Sequence, residues 1–539
     1  MDRPANPSAA EIAAHHTAAG GAPPLPSPPP DPGRNRFAFA SWLFLRLLAS
    51  IHLIAFVSFW TQLDALVGPR GLLPATRYFA AVREQLGGSA FAQLPSLCWW
   101  FGTEKFPHVL CAAGVALALL LFAGVAPVFC LGLLWVAYLS LSCAGQIFFN
   151  FQWDALLLET TVLALLLAPW KMLPLWRPHE PPRFARLILW WLLFRLMFLA
   201  GVVKLASGDP TWRNLSALTF HYETQPLPTL LGWFAHQLPT WWHRASCAGM
   251  FVIELVVPFF LFAPRALRHN ASLILAGLMV AIALTGNYTF FNLLAIALCL
   301  LCLDDAWWRA VRGCASPKTC NVLRYIVSRF RFRALFPDAK RGVPPDGQRA
   351  PRWPAVSVAS LAALAFVYTL VQALPSVMPR VALPPVFRAM ADAVAPFRSL
   401  NNYGLFAVMT NPRPELIFEG SDDGRAWHAY EFPDKPGDLL RRPTWVAPHQ
   451  PRLDWQLWFA ALGPPQHNPW VLALCEQLLR GNRTVLPLLA NNPFPDKPPR
   501  YVRVVRYEYH FTDAAARRAT GRWWRRTPLD FYVAPVSLR

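Results

Sequence analysis

Long apolar runs, uncharged over most of their length, constrain this chain more than any other feature. A hydrocarbon core of about 30 Å is crossed by about 20 helical residues rising roughly 1.5 Å each. Runs approaching that length recur near residues 41–60, 109–126, 128–149, 155–175, 187–206, 246–263, 270–286, 288–303 and 354–374. They predict a polytopic α-helical membrane bundle of about nine spans. Composition agrees, since 55% of the 539 residues are hydrophobic and 15% charged, against roughly 45–50% and 25% in soluble domains. Disordered, collagen-like and small disulfide-scaffold classes are excluded for the chain as a whole.

Fifty Lys and Arg against thirty Asp and Glu give a formal charge of +20. In a soluble protein that balance would suggest nucleic acid; beside apolar spans it belongs to cytoplasmic anchoring loops, and no nucleic-acid partner is expected. With the N-terminus inside, Arg183, Arg186, Arg265, Arg268 and the basic stretch Arg309–Arg352 all fall in inner loops. The odd span count then places everything after about Pro379 outside, in the periplasm of a bacterium or the lumen of an endoplasmic reticulum.

The expected divisions are a disordered, Pro/Ala-rich cytoplasmic tail over 1–36, a helical bundle over 37–303, a basic cytoplasmic loop over 304–353 carrying an interfacial amphipathic helix at RYIVSRFRFRALF, a last span over 354–378, and a β-rich α+β outer domain over 379–539. In that last part, PELIFEGSDDG, AWHAYEF and RYVRVVRYEYHFT have the period of half-buried strands. WQLWFAAL and PWVLALCEQLLRG read as short helices, the second stopped by Gly481.

Each ionisable group inside an apolar span costs about 2.5–3.5 kcal/mol on insertion scales and needs a partner, a wet cavity or a route to the interface. Asp154 and Glu159 fall at the outer start of one span, Lys204 at the outer end of the next, and Glu254 near the outer part of another. Their similar depth suggests a polar cluster of Lys204, Glu159, Asp154 and Glu254, roofed by the loop Ser207–Ala245 with His221, Tyr222, Glu223 and Trp212. The plainer alternative is that Lys204 pairs with Glu159 or Glu254 to fix helix packing. Arg195, deeper in its span, should face the bundle interior, Arg46 should reach the inner interface, and His52 should be a packing histidine.

Other motifs argue mainly by exclusion. Cys299 and Cys302 form a C-x-x-C within an apolar run, with no second pair or histidines to complete a zinc site, so the cysteines read as small apolar filler. Asp422-Asp423-Gly424 reads as a hairpin turn rather than a calcium loop. No G-x-S-x-G, Walker or H-E-x-x-H element is present. Trp427, Tyr430, Trp445, Trp455 and Trp458 are dense enough to form either a core or a client-binding surface.

The runs FNFQWDALLLETTVLALLLAPW, FRLMFLAGVVKLASGDPTWRNLSALTFHYETQPLPT, TGNYTFFNLLAIALCLLCLDD and NNYGLFAVMTNPRPELIFEGSDDGRAWHAYEFPDKPG, followed by QPRLDWQLWFAAL, resemble the lipase maturation factor family from about Phe37 to Tyr532. The resemblance implies a polytopic membrane protein, resident in vertebrates in the endoplasmic reticulum, that helps newly made dimeric lipases fold and assemble. The Ala, Arg and Pro bias resembles that of a bacterial homologue, whose setting would be the inner membrane. A more distant similarity links LAGVVKLASGDPTW to vitamin K-dependent gamma-carboxylase and related horizontally transferred transmembrane domains, where a Lys acts as base on a quinol; the matching positions are Lys204 and Trp212. Two expectations follow. One is a non-enzymatic folding factor without cofactor, whose partners are membrane lipids and a secreted lipase or other extracytoplasmic client. The other is an enzyme using Lys204 near a quinone-like lipid.

Overall fold

The computed structural model describes residues 36–172, 178–313, 353–378 and 382–538. Most of the expected Pro-rich tail, Cys314, Cys320 and the expected amphipathic helix of the basic loop lie outside the described residues. Among those described, nine helices pack into a bundle in alternating directions: α1 (Ala38–Trp60), α2 (Phe106–Ala123), α3 (Pro127–Ala144), α4 (Gln152–Leu167), α5 (Arg183–Ala206), α6 (Thr240–Leu255), α7 (Arg265–Thr285), α8 (Phe291–Leu300) and α9 (Ala355–Val377).

Contacts at the helix ends establish the alternation. At one end, Phe37 N–H donates to Glu180, Phe39 N–H to Asp305, Arg265 to Asp304, and Trp353 to the Leu165 carbonyl. At the other, the end of α1 meets the start of α2 through Trp60 and His108, and Gln62, Phe148, Asn287 and Ser376 meet the C-terminal part of the chain. The N-terminal end of α1 and the C-terminal domain therefore occupy opposite ends of the bundle.

Seven helices are long and apolar enough to cross a membrane, α6 doing so with its continuation to Phe262, and eight if α8 and the segment Asp305–Val311, bent by 102°, count as one. The figure of about nine spans is thus approximate. α4 stops at Leu167, before Pro169, and its 16 residues rise only about 24 Å. α8 stops after 10 residues, and Asp304 then receives the Trp307 N–H in a sharp turn. Both are flanked by longer helices, so the bundle, not lipid, surrounds most of α4.

The C-terminal domain carries a four-stranded antiparallel sheet in the order β2-β1-β3-β4, with β1 at Pro414–Ser421, β2 at His428–Ala429, β3 at Tyr501–Phe511 and β4 at Trp524–Val536. The alternating strings predicted β1 and β3, although AWHAYEF forms only the two-residue β2. β1 is not half-buried as its alternation suggests, because every residue of it is buried. Leu416 and Phe418 point into the main core with Trp455 of α10 (Arg452–Ala461) and Leu474 of α11 (Trp470–Leu479). Ile417, on the other face, joins Trp233, Tyr509, Phe511, Trp523 and Trp524. Trp233 belongs to the short helix Leu230–His236 that follows α5, so a loop of the bundle supplies the second cover of the sheet. Gly481 ends α11's turn with φ 57°, as its position predicted.

Candidate functional site

The intramembrane charges do not gather into one cluster. They form three separate buried pairs, each assembled by a different part of the chain. Asp154, at the first turn of α4, accepts from Arg452 at 3.1 and 3.2 Å and from the Tyr138 hydroxyl at 2.5 Å. Glu159, one turn further in, is bonded by Arg195, by the Tyr403 hydroxyl at 2.6 Å and by the Asn401 N–H at 2.9 Å. Arg195 also donates to the Asn401 carbonyl at 2.7 Å, so it faces the interior as expected. Lys204 bonds both oxygens of Glu254, at 2.8 and 2.7 Å. The structure therefore pairs Lys204 with Glu254 and keeps Glu159 away from it.

Local sequence explains the third pair. Gly201 lies one turn before Lys204, and a Cβ there would come within 2.8 Å of Leu255 and 3.1 Å of the Glu254 Cβ. The Ala-Gly step lets α6 approach α5 closely enough for a two-oxygen bond. Trp212 covers the pair with its ring centre 5.5 Å from Lys204 Nζ, and its own N–H donates to the Phe406 carbonyl at 3.1 Å. His221 meets the Tyr288 hydroxyl at 3.2 Å, which in turn donates to Gln225 at 2.9 Å. Burial, reinforced by the Lys204 ammonium, pushes His221 down to about 4, so it is neutral at pH 7. Both carboxylate oxygens of Glu254 are thereby engaged by Lys204. That arrangement holds two helices together and does not present a free base.

A second set of contacts closes the bundle against the sheet. Arg413, fully buried, donates to the carbonyls of Glu223, Gln225 and Pro226 and to Glu415. Lys435 bonds Glu415 at 3.0 Å from the other side. Glu223 accepts the Phe511 N–H at 2.9 Å and contacts His510 at 3.2 Å. Cations of the C-terminal domain thus neutralise carboxylates and saturate loop carbonyls of the bundle, and they leave the two halves a single packed unit.

Three of the expected client-binding aromatics require correction. Tyr430, Trp455 and Trp458 are buried, Trp455 against Phe151 and Trp153 of the bundle and Trp458 through an N–H bond to the Thr224 carbonyl. Trp427 lies beneath Arg503, 4.1 Å from its ring centre. Tyr430, Trp455 and Trp458 are core and interface, whereas Trp427 is half-buried. Arg46 is buried and turns one helical turn back toward the N-terminal end of α1, where its guanidinium lies over Trp42. His52 bonds Thr161 at 2.8 Å inside the bundle, and the eight described cysteines are free and buried. Asp423 caps the turn after β1 by accepting from Arg425 and Ala426, with Gly424 at φ 71°. No group of metal-ligating side chains forms among the described residues.

What the sequence reading missed is an exposed apolar ledge. Glu254 lies level with Lys204 near the end of α5, and Thr240 precedes it by fourteen residues of helix, a rise of about 21 Å. α6 therefore begins beside the sheet domain, where Gln237 donates to the Thr512 carbonyl. Trp241 and Trp242 there are 66% and 46% exposed, and Phe234, on the helix that buries Trp233, is 51% exposed. Leu231 and Leu238, either side of Phe234 in the chain, are exposed as well.

The fold and these contacts define a class: a polytopic helical bundle with membrane-spanning character, clamped at one end to a sheet domain. Residues 39–310 match the family described as lipase maturation factor transmembrane domain, and residues 399–534 match the lipase maturation factor C-terminal domain. The chain is 39% identical over an alignment of 591 positions to lipase maturation factor 2 of Homo sapiens, covering 92% of this chain and 82% of that protein. It is 34% identical over 558 positions to lipase maturation factor 1 of Bos taurus, covering 96% and 94%. No solved structure matches it. The chain belongs to the lipase maturation factor family. Neither these relatives nor the saturated Lys204–Glu254 pair lends support to a carboxylase-like base.

Proposed function

We propose that this protein assists the folding or assembly of an extracytoplasmic client, a secreted lipase or a protein of similar chemistry, at the end of the bundle that carries the sheet domain. The observation that carries this reading is the ledge of Phe234, Trp241 and Trp242 beside a domain held rigid by buried ion pairs. A client that has not finished folding exposes apolar surface, and exposed aromatic side chains on a fixed platform are the complement it needs. The names of the relatives point to the same kind of client.

Orientation follows from charge. Arg186, Arg265, Arg268 and Arg309 lie at the end of the bundle near Phe37, and short cytoplasmic loops carry such excess. That end is assigned to the cytoplasm and the ledge to the opposite side, the periplasm in a bacterial inner membrane. A photoreactive residue replacing Trp242 tests the assignment of the ledge. Irradiation in cells producing a secreted lipase should give a covalent adduct with that lipase; adducts with lipid alone would contradict it.

A further inference from the structure

Eight residues beyond the end of α9, the helix Pro385–Val394 buries none of its side chains. At 100° per residue, Val386, Phe387, Met390 and Val394 share an arc of about 100°, with Arg388 and Asp392 opposite. Val386 is 78% exposed. The turn after it is pinned to the bundle: Phe397 stacks on Trp135 of α3 with ring centres 6.3 Å apart, and Trp135 donates to the Ser399 hydroxyl at 2.8 Å. Trp135 lies at the middle of α3, two residues from the exposed Leu133, and Arg398, the residue after Phe397, reaches the Phe149 carbonyl beyond the outer end of that helix. The preceding helix α9 is also exposed and apolar, at Leu364, Val367 and Leu370. An amphipathic helix in this position lies in the interface of a leaflet, with its apolar side among acyl chains.

Beside its charged side is a cavity of about 540 Å³, lined among others by Gln93, Leu94, Cys143, Asp392, Pro396 and Arg398. Arg398 uses one N–H on the Phe149 carbonyl at 3.2 Å, and Asp392 is in no ion pair among the described residues. Close by in the chain from Gln93, Phe91 and Trp100 are exposed with ring centres 5.6 Å apart, the aromatic character of a membrane interface. A cationic fork and an unpaired carboxylate in one cavity, at the height of an interfacial helix, match a headgroup carrying both a phosphate and an ammonium.

We propose that this cavity holds the headgroup of a zwitterionic phospholipid with a primary ammonium, drawn from the leaflet in which the helix Pro385–Val394 lies. The phosphate meets Arg398, the ammonium donates to Asp392 and to the Gln93 amide oxygen, and the acyl chains run along Val386 and Met390. A trimethylated ammonium has no N–H to donate, so an ethanolamine headgroup binds in preference to choline.

Native mass spectrometry of the full chain in mild detergent, titrated with phosphatidylethanolamine, phosphatidylcholine or inorganic phosphate, tests this. One equivalent of phosphatidylethanolamine should be retained, Asp392→Asn should weaken it at least tenfold while leaving phosphatidylcholine unchanged, and Arg398→Gln should weaken both. Because Asp392 is exposed, its substitution leaves the fold intact. Equal retention by the wild type and Asp392→Asn, or competition by inorganic phosphate as effective as by lipid, overturns the proposal. A nitroxide on Val386→Cys, with Cys314 and Cys320 changed to Ser, gives an independent reading in phosphatidylethanolamine vesicles. Stronger relaxation by oxygen than by a water-soluble nickel complex is expected, and the reverse would overturn immersion of the helix.

Discussion

Arg452 of the C-terminal domain and Asp154 of α4 form a fully buried, two-oxygen ion pair at 3.1 and 3.2 Å, across 298 residues of sequence. Phe149 closes it from one side, its ring centre 3.8 Å from the guanidinium carbon. Separating the domain from the bundle would leave Asp154 without its counter-charge in an apolar surrounding, with only the Tyr138 hydroxyl to meet it. Arg452→Met should therefore lower stability by about 3–5 kcal/mol, the cost of an abandoned buried charge, and Arg452→Met with Asp154→Leu should recover most of it. Thermal unfolding in detergent measures the loss, and limited proteolysis between Met378 and Pro414 should accelerate only in the single variant.

The Lys204–Glu254 pair allows a similar separation of packing from chemistry. Gly201→Ala pushes α6 off α5 without touching either charge, and overpacking of this kind costs about 1–3 kcal/mol. Lys204→Met alone should cost more than the double change with Glu254→Met. If client maturation survives the double variant, the pair is a helix fastener; the measurement is lipase activity per unit of membrane-inserted protein.

Acid should loosen the interface through His221. Its folded value of about 4 lies below the unfolded value of about 6.5, so the unfolded chain binds the proton first. Stability is complete above about pH 6.5 and declines as pH falls toward 4, by on the order of 3 kcal/mol in total. Asp454, pushed up to about 6 by burial beside Asp434, acts in the opposite sense over part of that range. His221→Gln isolates the effect: its melting temperature should lose less than the wild type's between pH 7 and pH 5.

Two tryptophans, Trp455 and Trp241, should behave oppositely. Trp455 is buried where α10 packs on Phe151 and Trp153, and Trp455→Ala should destabilise by about 3–5 kcal/mol. Trp241→Ser changes an exposed side chain and should stay within about 0.5 kcal/mol of wild type. Denaturation curves of both variants under one condition decide the comparison.

Elements with a strong local period were legible in the sequence. β1, β3, α10 and α11 fall on the strings that predicted them, because hydrophobic spacing and a stop signal such as Gly481 act within one element. β4 was missed: Pro528 and Pro535 interrupt it, and most of its residues are exposed, so it has no clean alternation. The charges in apolar runs announced that partners must exist, and Lys204 and Glu254 were both visible for that reason. Arg195, the ionic partner of Glu159, was visible in the same way, but Arg452, Asn401 and Tyr403, which complete the Asp154 and Glu159 sites, come from a region with nothing local to mark them as membrane-facing. Aromatic density could not separate core from surface, and only packing shows Tyr430 and Trp458 inside and Trp241 and Trp242 outside.

The central claim is that the ledge beside the clamped sheet domain acts on a secreted client. It is tested most directly by the specific activity, per mass of enzyme secreted, of a dimeric lipase produced with the wild-type protein, with Trp241→Ser/Trp242→Ser, or with neither. The wild type should raise specific activity, and the double variant, inserted in the membrane at the same level and with an unchanged melting temperature, should leave it at the level seen without the protein. A double variant as effective as the wild type would contradict the account.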